Sequence, residues 1–314
     1  MRHGIPALTW LVGALCVHLG LSWAFSATVV ADHNLTASDA AFNALPDRIP
    51  VLAVGDSHGR NAVDPQALCD GCGNIALGGE HIIKTRGRLN RLLDDSGKRV
   101  DVVLLPAEDG AFTRHLRDQY HPVTMWGKRV DFLDLATEVE RPLDMGVLWF
   151  RARFIPYTDE LPIWVAWAKG SRAHFREREM RGRMDGLPVR RRLADAVERY
   201  DKIFGDEPVV DPVKVAHFEA LIDELTARGI RVVLVRYPLM PGFDRLVHKR
   251  GARQATEAVV DRIRAERDLP LLDYRDVFAD QPELFADSDH VNDLGRRRFT
   301  VGLRNTLRAR GWLE

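Results

Sequence analysis

The chain has 314 residues, enough to bury a full core as one large domain or as two. Its 45 acidic and 45 basic side chains balance, so net charge makes no case for or against a polyanionic partner.

From Ile5 to Ala31 there is no Asp, Glu, Lys or Arg. A bilayer core is crossed by about 20 apolar residues, so this stretch is long enough for a membrane anchor. Arg2 ahead of it favours a cytoplasmic N-terminus under the positive-inside rule. A cleaved signal peptide is the other reading, with Ala24, Ser26, Ala27 and Ala31 near a possible cut. The run exceeds the usual signal core of roughly 7–15 residues, which favours an uncleaved anchor. Either reading puts the rest of the chain outside the cytoplasm, in a periplasm or at a cell surface, where nucleic acid is a poor candidate partner. Residues 32–48, with Asp32, Asn34, Asp39 and Pro46, read as a linker. Asn34-Leu35-Thr36 is a glycosylation sequon, which matters only on a eukaryotic secretory route.

Val51-Leu52-Ala53-Val54 reads as a short buried strand, since a strand covered on both faces need not alternate. It stops at Gly55, and Asp56-Ser57-His58-Gly59-Arg60 follows at once. Reactive groups of open α/β sheets stand just past the carboxyl ends of strands, so Ser57 is a candidate nucleophile. Cys69-Asp70-Gly71-Cys72 comes next. Outside the cytoplasm the simplest account of Cys69 and Cys72 is a small structural disulfide, because no second pair of zinc ligands is evident and no thioredoxin-like context surrounds them. Cys16 lies within the apolar stretch.

Lys84 to Leu93 carries Leu89, Leu92 and Leu93 among basic residues, an amphipathic helix pattern. Asp101 to Leu105 reads as a strand, residues 212–228 as a helix ended by Gly229, and Ile230 to Val235 as a strand. Ala252 to Arg267 is helical, Leu269 to Leu272 a strand, and residues 291–310 a closing helix. Alternation of this kind predicts an α/β fold with a parallel sheet and helices on both faces. Residues from about 111 to 205 are too many for one crossover and read as an inserted helical subdomain. It is rich in aromatics (Trp126, Trp149, Phe150, Phe154, Tyr157, Trp164, Trp167) and then in bases. Lys169, Arg172, Arg176, Arg178, Arg181, Arg183 and Arg190-Arg191-Arg192 are interrupted by Glu177, Glu179 and Asp185. A solvated mixed-charge face is one reading. The other is a cap whose aromatics stack on sugar rings and whose arginines meet anionic groups or lipid phosphates.

Near the end stands Asp287-Ser288-Asp289-His290-Val291-Asn292. A serine hydroxyl needs a base, and the base needs a group to fix its tautomer, so His290 and Asp287 suit those two roles. Asp289, next to His290, competes with Asp287 as the orienting carboxylate. An early Ser with a late Asp-x-x-His resembles the SGNH (GDSL-like) hydrolase and acyltransferase superfamily. The family's second block, an Asn followed five residues on by a Gly, is matched by Asn74 and Gly79. Its third block, a strand followed by Gly-x-Asn-Asp, is not: Pro106-Ala107-Glu108-Asp109-Gly110 follows the strand and contains no Asn. The side-chain donor that this Asn gives to the oxyanion is missing or comes from elsewhere. The match runs over roughly residues 48–312 with an unmatched middle, and it is closer to membrane-anchored members similar to alginate O-acetylation and teichoic acid D-alanyl transfer proteins.

The resemblance implies a three-layer flavodoxin-like fold and an acyl-enzyme at Ser57, with the Gly79 N–H in the oxyanion hole. It also implies an acyl-bearing glycan or lipid-linked substrate, a membrane acyltransferase as possible partner, and no cofactor or metal. His58 then lines the acceptor site or finishes a turn. Gly55-Asp56-Ser57-His58-Gly59 also resembles a metallophosphoesterase motif in which Asp56 and His58 bind one metal, but the partner motifs of that class are absent from the sequence. A non-catalytic scaffold of an envelope polysaccharide modification complex is the third reading.

Overall fold

The computed structural model describes residues 7–114, 126–127, 129–136, 142–157, 161–170, 180, 182–206 and 209–314. Arg172, Arg176, Arg178 and Arg181 of the basic run, with Glu177 and Glu179, lie outside these residues. The chain divides into two compact units, Met1–Ser38 with His121–Arg178, and Asp39–Tyr120 with Glu179–Glu314.

The second unit is α/β. Its parallel sheet is built from β1 (Arg48–Ala53), β2 (Gly73–Asn74), β3 (Arg99–Pro106), β4 (Arg231–Arg236) and β5 (Leu271–Asp273), in the order β2-β1-β3-β4-β5. All four pairings are parallel, and Val51 faces Val102 while Leu104 faces Val233. Period-two alternation sorts the strand residues into two cores. Leu52, Val103, Leu105, Val232 and Leu234 pack with Leu89, Leu92 and Leu93 of helix Ile82–Ser96, and with Phe218, Leu221 and Leu225 of helix Pro212–Ala227. Val51, Ala53, Val102, Leu104, Val233 and Val235 pack on the other face with Phe299, Leu303 and Leu307 of the closing helix Asp293–Ala309. Both faces are therefore covered, which is why the strands read as continuous apolar runs. The chain leaves β1 for β2 on one side and returns to β3 on the other. The crevice at the carboxyl ends of β1 and β3 is thus the switch point of the sheet, where such folds bind ligands.

Two readings of the sequence are corrected. Residues 32–48 are not a plain linker, because Asn34–Asn43 is a helix whose Leu35 and Phe42 are buried. Phe42 enters the core beside Ile49 and Leu93. The polar residues hid an alanine-rich pattern (Ala37, Ala40, Ala41) that favours helix. The expected insertion at 111–205 ends too late. Residues 189–204 form a helix of the α/β unit, and Ala196, Tyr200, Ile203 and Phe204 pack against Phe243 and Val247 of helix Pro241–Lys249. Arg190 and Arg191 are on its exposed side.

Among the described residues of the first unit, one helix (Thr9–Val30) is long and apolar enough to cross a membrane. It is α-helical over Ala7–Phe25 and π-helical over Ser26–Val30, and Trp10, Leu11, Leu15, Leu19 and Trp23 are exposed on it. The unit also holds helices Phe132–Ala136, Pro142–Phe154 and Leu161–Ala168. Trp164 packs edge-on against Phe25, Trp167 donates to Asp32, and Trp149 packs on Phe132.

Candidate functional site

β1 ends at Ala53, and Gly55, with φ +99°, turns the chain toward helix Ser57–Ala62. A Cβ at Gly55 would lie 2.4 Å from Cγ of Pro106, so only glycine fits between β1 and the end of β3. Asp56 caps the helix by accepting the N–H of His58 at 2.9 Å. Ser57 is thereby the first helical residue, at the carboxyl edge of the sheet.

The partner comes from the other end of the chain. Phe285 and Val291 form an antiparallel bridge, and Ala286 N–H donates to the carbonyl of His290 at 2.9 Å, which closes a tight turn over 286–290. Asn292 then caps the closing helix, accepting from the N–H groups of Leu294 and Gly295. Within the turn, Asp287 Oδ1 accepts the backbone N–H of His290 at 2.9 Å. The same carboxylate accepts from His290 Nδ1, at 2.9 Å to Oδ1 and 3.0 Å to Oδ2. This leaves Nε2 as the acceptor, and Ser57 Oγ lies 2.7 Å from it. The sequence-expected Ser57, His290 and Asp287 are thus brought into one hydrogen-bonded chain, in the geometry that activates a serine.

Asp289 has a different surrounding. Its side chain is fully buried; Oδ2 accepts from Arg199 Nε at 2.7 Å and faces His58 Nε2 at 3.2 Å. Its Oδ1 stands 3.1 Å from His290 Nδ1. Arg199 belongs to helix Val189–Phe204, and its Nη2 lies 3.4 Å from His290 Nε2. One turn earlier on that helix, Asp195 accepts both the N–H (2.8 Å) and the hydroxyl of Ser288. Arg199 and Asp195 were not legible as site residues. They sit beyond a run of arginines that resembles any solvated helix face.

Burial disfavours charge on Asp289, yet its contacts with His290 and His58 hold it well below the usual carboxylate range. Burial likewise works against the His290 cation, while Asp289 and Asp287 raise its pKa above the ordinary value. His58 follows the same logic: desolvation lowers it, but Glu108, Asp56 and Asp289 raise it well above the ordinary range. Glu108 follows β3 and is buried, accepting the N–H of Tyr237 at 2.8 Å; burial pushes its carboxyl up to about 7 against the pull of His58. Asp109 turns away to Arg253, 3.3 Å distant.

Asn74 is not turned toward the reacting groups. Its side chain donates to the carbonyls of Gly59 (3.0 Å) and Val63 (2.7 Å), strapping the end of helix Ser57–Ala62 to β2. Gly79, with φ +75°, is exposed in the loop that follows. That loop is tied to the sheet edge by Leu77 N–H to Gly55 O at 2.8 Å. Behind it, buried Arg88 donates to Ile75 O at 2.8 Å and to Glu80 at 3.0 Å. Cys69 and Cys72 are joined by a disulfide, with Cα atoms 5.3 Å apart, in the connection from Ser57 to Asn74.

His58, Asp289 and His290 offer donor atoms within 4.8 Å of one another, a two-histidine, one-carboxylate set of the kind that binds transition metals. Asp56, the other ligand expected of the phosphoesterase motif, is engaged as a helix cap and stands 3.6 Å from His58 Nδ1.

No protein-family model matches the chain, and no curated protein is similar to it.

Proposed function

We propose that this protein is an extracytoplasmic serine esterase or O-acyltransferase of SGNH type, with a flavodoxin-like three-layer domain and an N-terminal membrane anchor. The observation that carries the reading is the chain from Ser57 Oγ through His290 to Asp287 at the switch point of the sheet. In this mechanism Ser57 Oγ attacks an ester carbonyl carbon as His290 Nε2 takes its proton, and Asp287 stabilises the imidazolium. The N–H groups of Ser57 and Gly79 receive the oxyanion. Collapse releases the alcohol, which leaves with the proton held by His290. Water or a sugar hydroxyl then attacks the acyl-enzyme, with His290 again as base, and Ser57 is regenerated. His58 lines the acceptor side. The apolar helix Thr9–Val30 supports placement at a membrane. Acyl esters of envelope polysaccharide or lipid-linked glycan, with a membrane acyltransferase as donor partner, follow from the family resemblance.

The test is turnover of p-nitrophenyl acetate by the full chain in detergent, beside Ser57→Ala and an EDTA-treated sample. Turnover lost in Ser57→Ala and retained in EDTA supports the serine mechanism. Equal turnover by both proteins overturns it. The second reading, a metal-dependent phosphoesterase, is favoured by the cluster of His58, Asp289 and His290. It predicts EDTA-sensitive turnover of p-nitrophenyl phosphate instead.

A further inference from the structure

Helix Pro142–Phe154 is apolar on two opposite sides, and protein covers one of them. On the covered side Ala152 is buried and Trp149 packs on Phe132, with ring centroids 5.5 Å apart. On the other, Leu143, Val147, Phe150 and Phe154 are 86%, 57%, 53% and 52% exposed. Their spacing puts them within an arc of about 60° on a helix of 3.6 residues per turn. Arg151 and Arg153 fall roughly 80° to either side of that stripe. Leu161 and Val165, one turn apart on helix Leu161–Ala168, are also exposed. A helix apolar all round belongs in a core or in lipid, and an exposed stripe of this size on one helix is not ordinary solvent-facing surface.

What covers the stripe is indicated by what the unit is tied to. Phe25 and Trp164 have ring centroids 5.7 Å apart, His18 Nδ1 is 3.1 Å from the Tyr157 hydroxyl, and Trp167 Nε1 donates to Asp32 at 2.7 Å. Tyr157, Trp164 and Trp167 thus stand beside His18, Phe25 and Asp32, from the middle of the apolar segment to just past its end. Phe154 stands three residues before Tyr157 in the chain, which brings the end of the stripe within reach of any bilayer that this segment enters. Basic side chains flanking an apolar stripe, with tryptophans close by, are the composition of a helix lying in the lipid interface.

We infer that helix Pro142–Phe154 lies in the interface layer of the bilayer entered by Thr9–Val30, with Leu143, Val147, Phe150 and Phe154 in the acyl-chain boundary and Arg151 and Arg153 toward lipid phosphates. The inference rests on reading Thr9–Val30 as an anchor, and it is independent of the chemistry at Ser57. It makes the first unit a membrane-seated platform instead of a helix on a tether.

The test places an environment-sensitive fluorophore on single cysteines in the full chain, in nanodiscs of phosphatidylethanolamine and phosphatidylglycerol. Cys16, the exposed thiol, is first replaced as Cys16→Ser, and the disulfide of Cys69 and Cys72 does not react. Phe150→Cys and Val147→Cys report on the stripe, and Trp23→Cys reports on the anchor. The expected result is that both stripe probes are quenched about threefold more by shallow doxyl-lipid than in unlabelled lipid, and are shielded from aqueous iodide. Circular dichroism confirms that each variant is folded, and either stripe probe alone suffices. Stripe probes open to iodide and silent to doxyl-lipid, with residue 23 quenched by lipid, overturn the inference and leave the anchor standing. Stripe probes shielded from iodide but silent to doxyl-lipid mean that protein covers the face, which also overturns it. If residue 23 too is silent to lipid, the anchor reading falls and the inference with it.

Discussion

Arg199 Nε lies 2.7 Å from Asp289 Oδ2, so the cation of one helix neutralises a buried carboxylate whose other oxygen stands 3.1 Å from the ring nitrogen of His290. Two carboxylates, Asp287 and Asp289, therefore border His290, and one of them is occupied from behind. The further groups near its ring are Ser57, Asp56 and His58, whose ring centroid is 5.0 Å away. Removing Arg199 unscreens Asp289 and withdraws a donor that faces Nε2, and both changes favour the imidazolium. In the proposed mechanism His290 acts as base only when unprotonated, so in Arg199→Ala the acidic limb of the kcat/KM profile is expected to move to higher pH, by about one unit. Activity near pH 6 falls roughly tenfold while the alkaline plateau is largely kept. Arg199→Lys restores part of the shift. A limb that stays in place in a folded variant removes Arg199 from this role.

The two carboxylates differ in what their loss does. Asp287 holds Nδ1 with good geometry and has a side chain 27% exposed, while the Asp289 side chain is fully buried. Asp287→Asn offers an amide that cannot serve both ring orientation and charge, and under the proposed mechanism activity is expected to drop by about 10³–10⁴. Its melting temperature changes little. Asp289→Asn instead strands the Arg199 cation against a neutral partner, and breaking a buried pair costs about 3–5 kcal/mol at full burial. Arg199 is 24% exposed, so the low end of that range is expected. Thermal unfolding and kcat/KM measured side by side separate the two. The assignment of Asp287 as the orienting group does not survive the opposite pattern.

The Ser57 and His290 pairing was readable because a serine at a strand end and a late Asp-x-x-His constrain chemistry as well as folding. Asn74 was matched by spacing alone, and spacing does not say which way an amide points; it straps two carbonyls instead. Strands β1, β3 and β4 were legible because a doubly covered strand is continuously apolar. The two-residue β2 has no such signal, and helix Pro241–Lys249 went unassigned, because Pro238, Pro241 and Gly242 break up its pattern although proline at the first helical position is favourable. Arg199 carried no local signal at all. Its role depends on a contact 90 residues away in sequence.

Glu108 gives a prediction for stability against pH. Its pKa is pushed from 4.5 to about 7 in the folded protein, chiefly by burial. The folded state therefore holds a proton that the unfolded state has already lost, and the stabilising contribution is complete below the unfolded value. It is lost as pH rises through about 7. In Glu108→Gln this contribution is absent. The stability of wild type minus that of the variant is expected to fall between pH 4.5 and about 7, by at most about 1.4 kcal/mol per pH unit. Urea unfolding at several pH values measures the difference. A difference that is flat, or that rises with pH, shows that Glu108 is not held protonated.

Gly55 joins the two halves of the proposed oxyanion site. Its positive φ and its contact with Pro106 set the direction in which Asp56 and Ser57 leave β1. Its carbonyl also accepts the N–H of Leu77, which anchors the loop carrying Gly79. A methyl group at this position cannot be accommodated without moving the backbone, and the strained conformation alone costs about 1–3 kcal/mol. Gly55→Ala is thus expected to lower the melting temperature and, because Ser57 and Gly79 shift together, to lower kcat more than the stability loss explains. Gly229 is the control. It also has a positive φ, +76°, but nothing lies within 4 Å of a Cβ built there, and it ends helix Pro212–Ala227 away from Ser57 in sequence. Gly229→Ala should lose about 1 kcal/mol of stability with kcat unchanged. Equal effects of the two substitutions on kcat, at matched folded fraction, would mean that Gly55 serves the fold only.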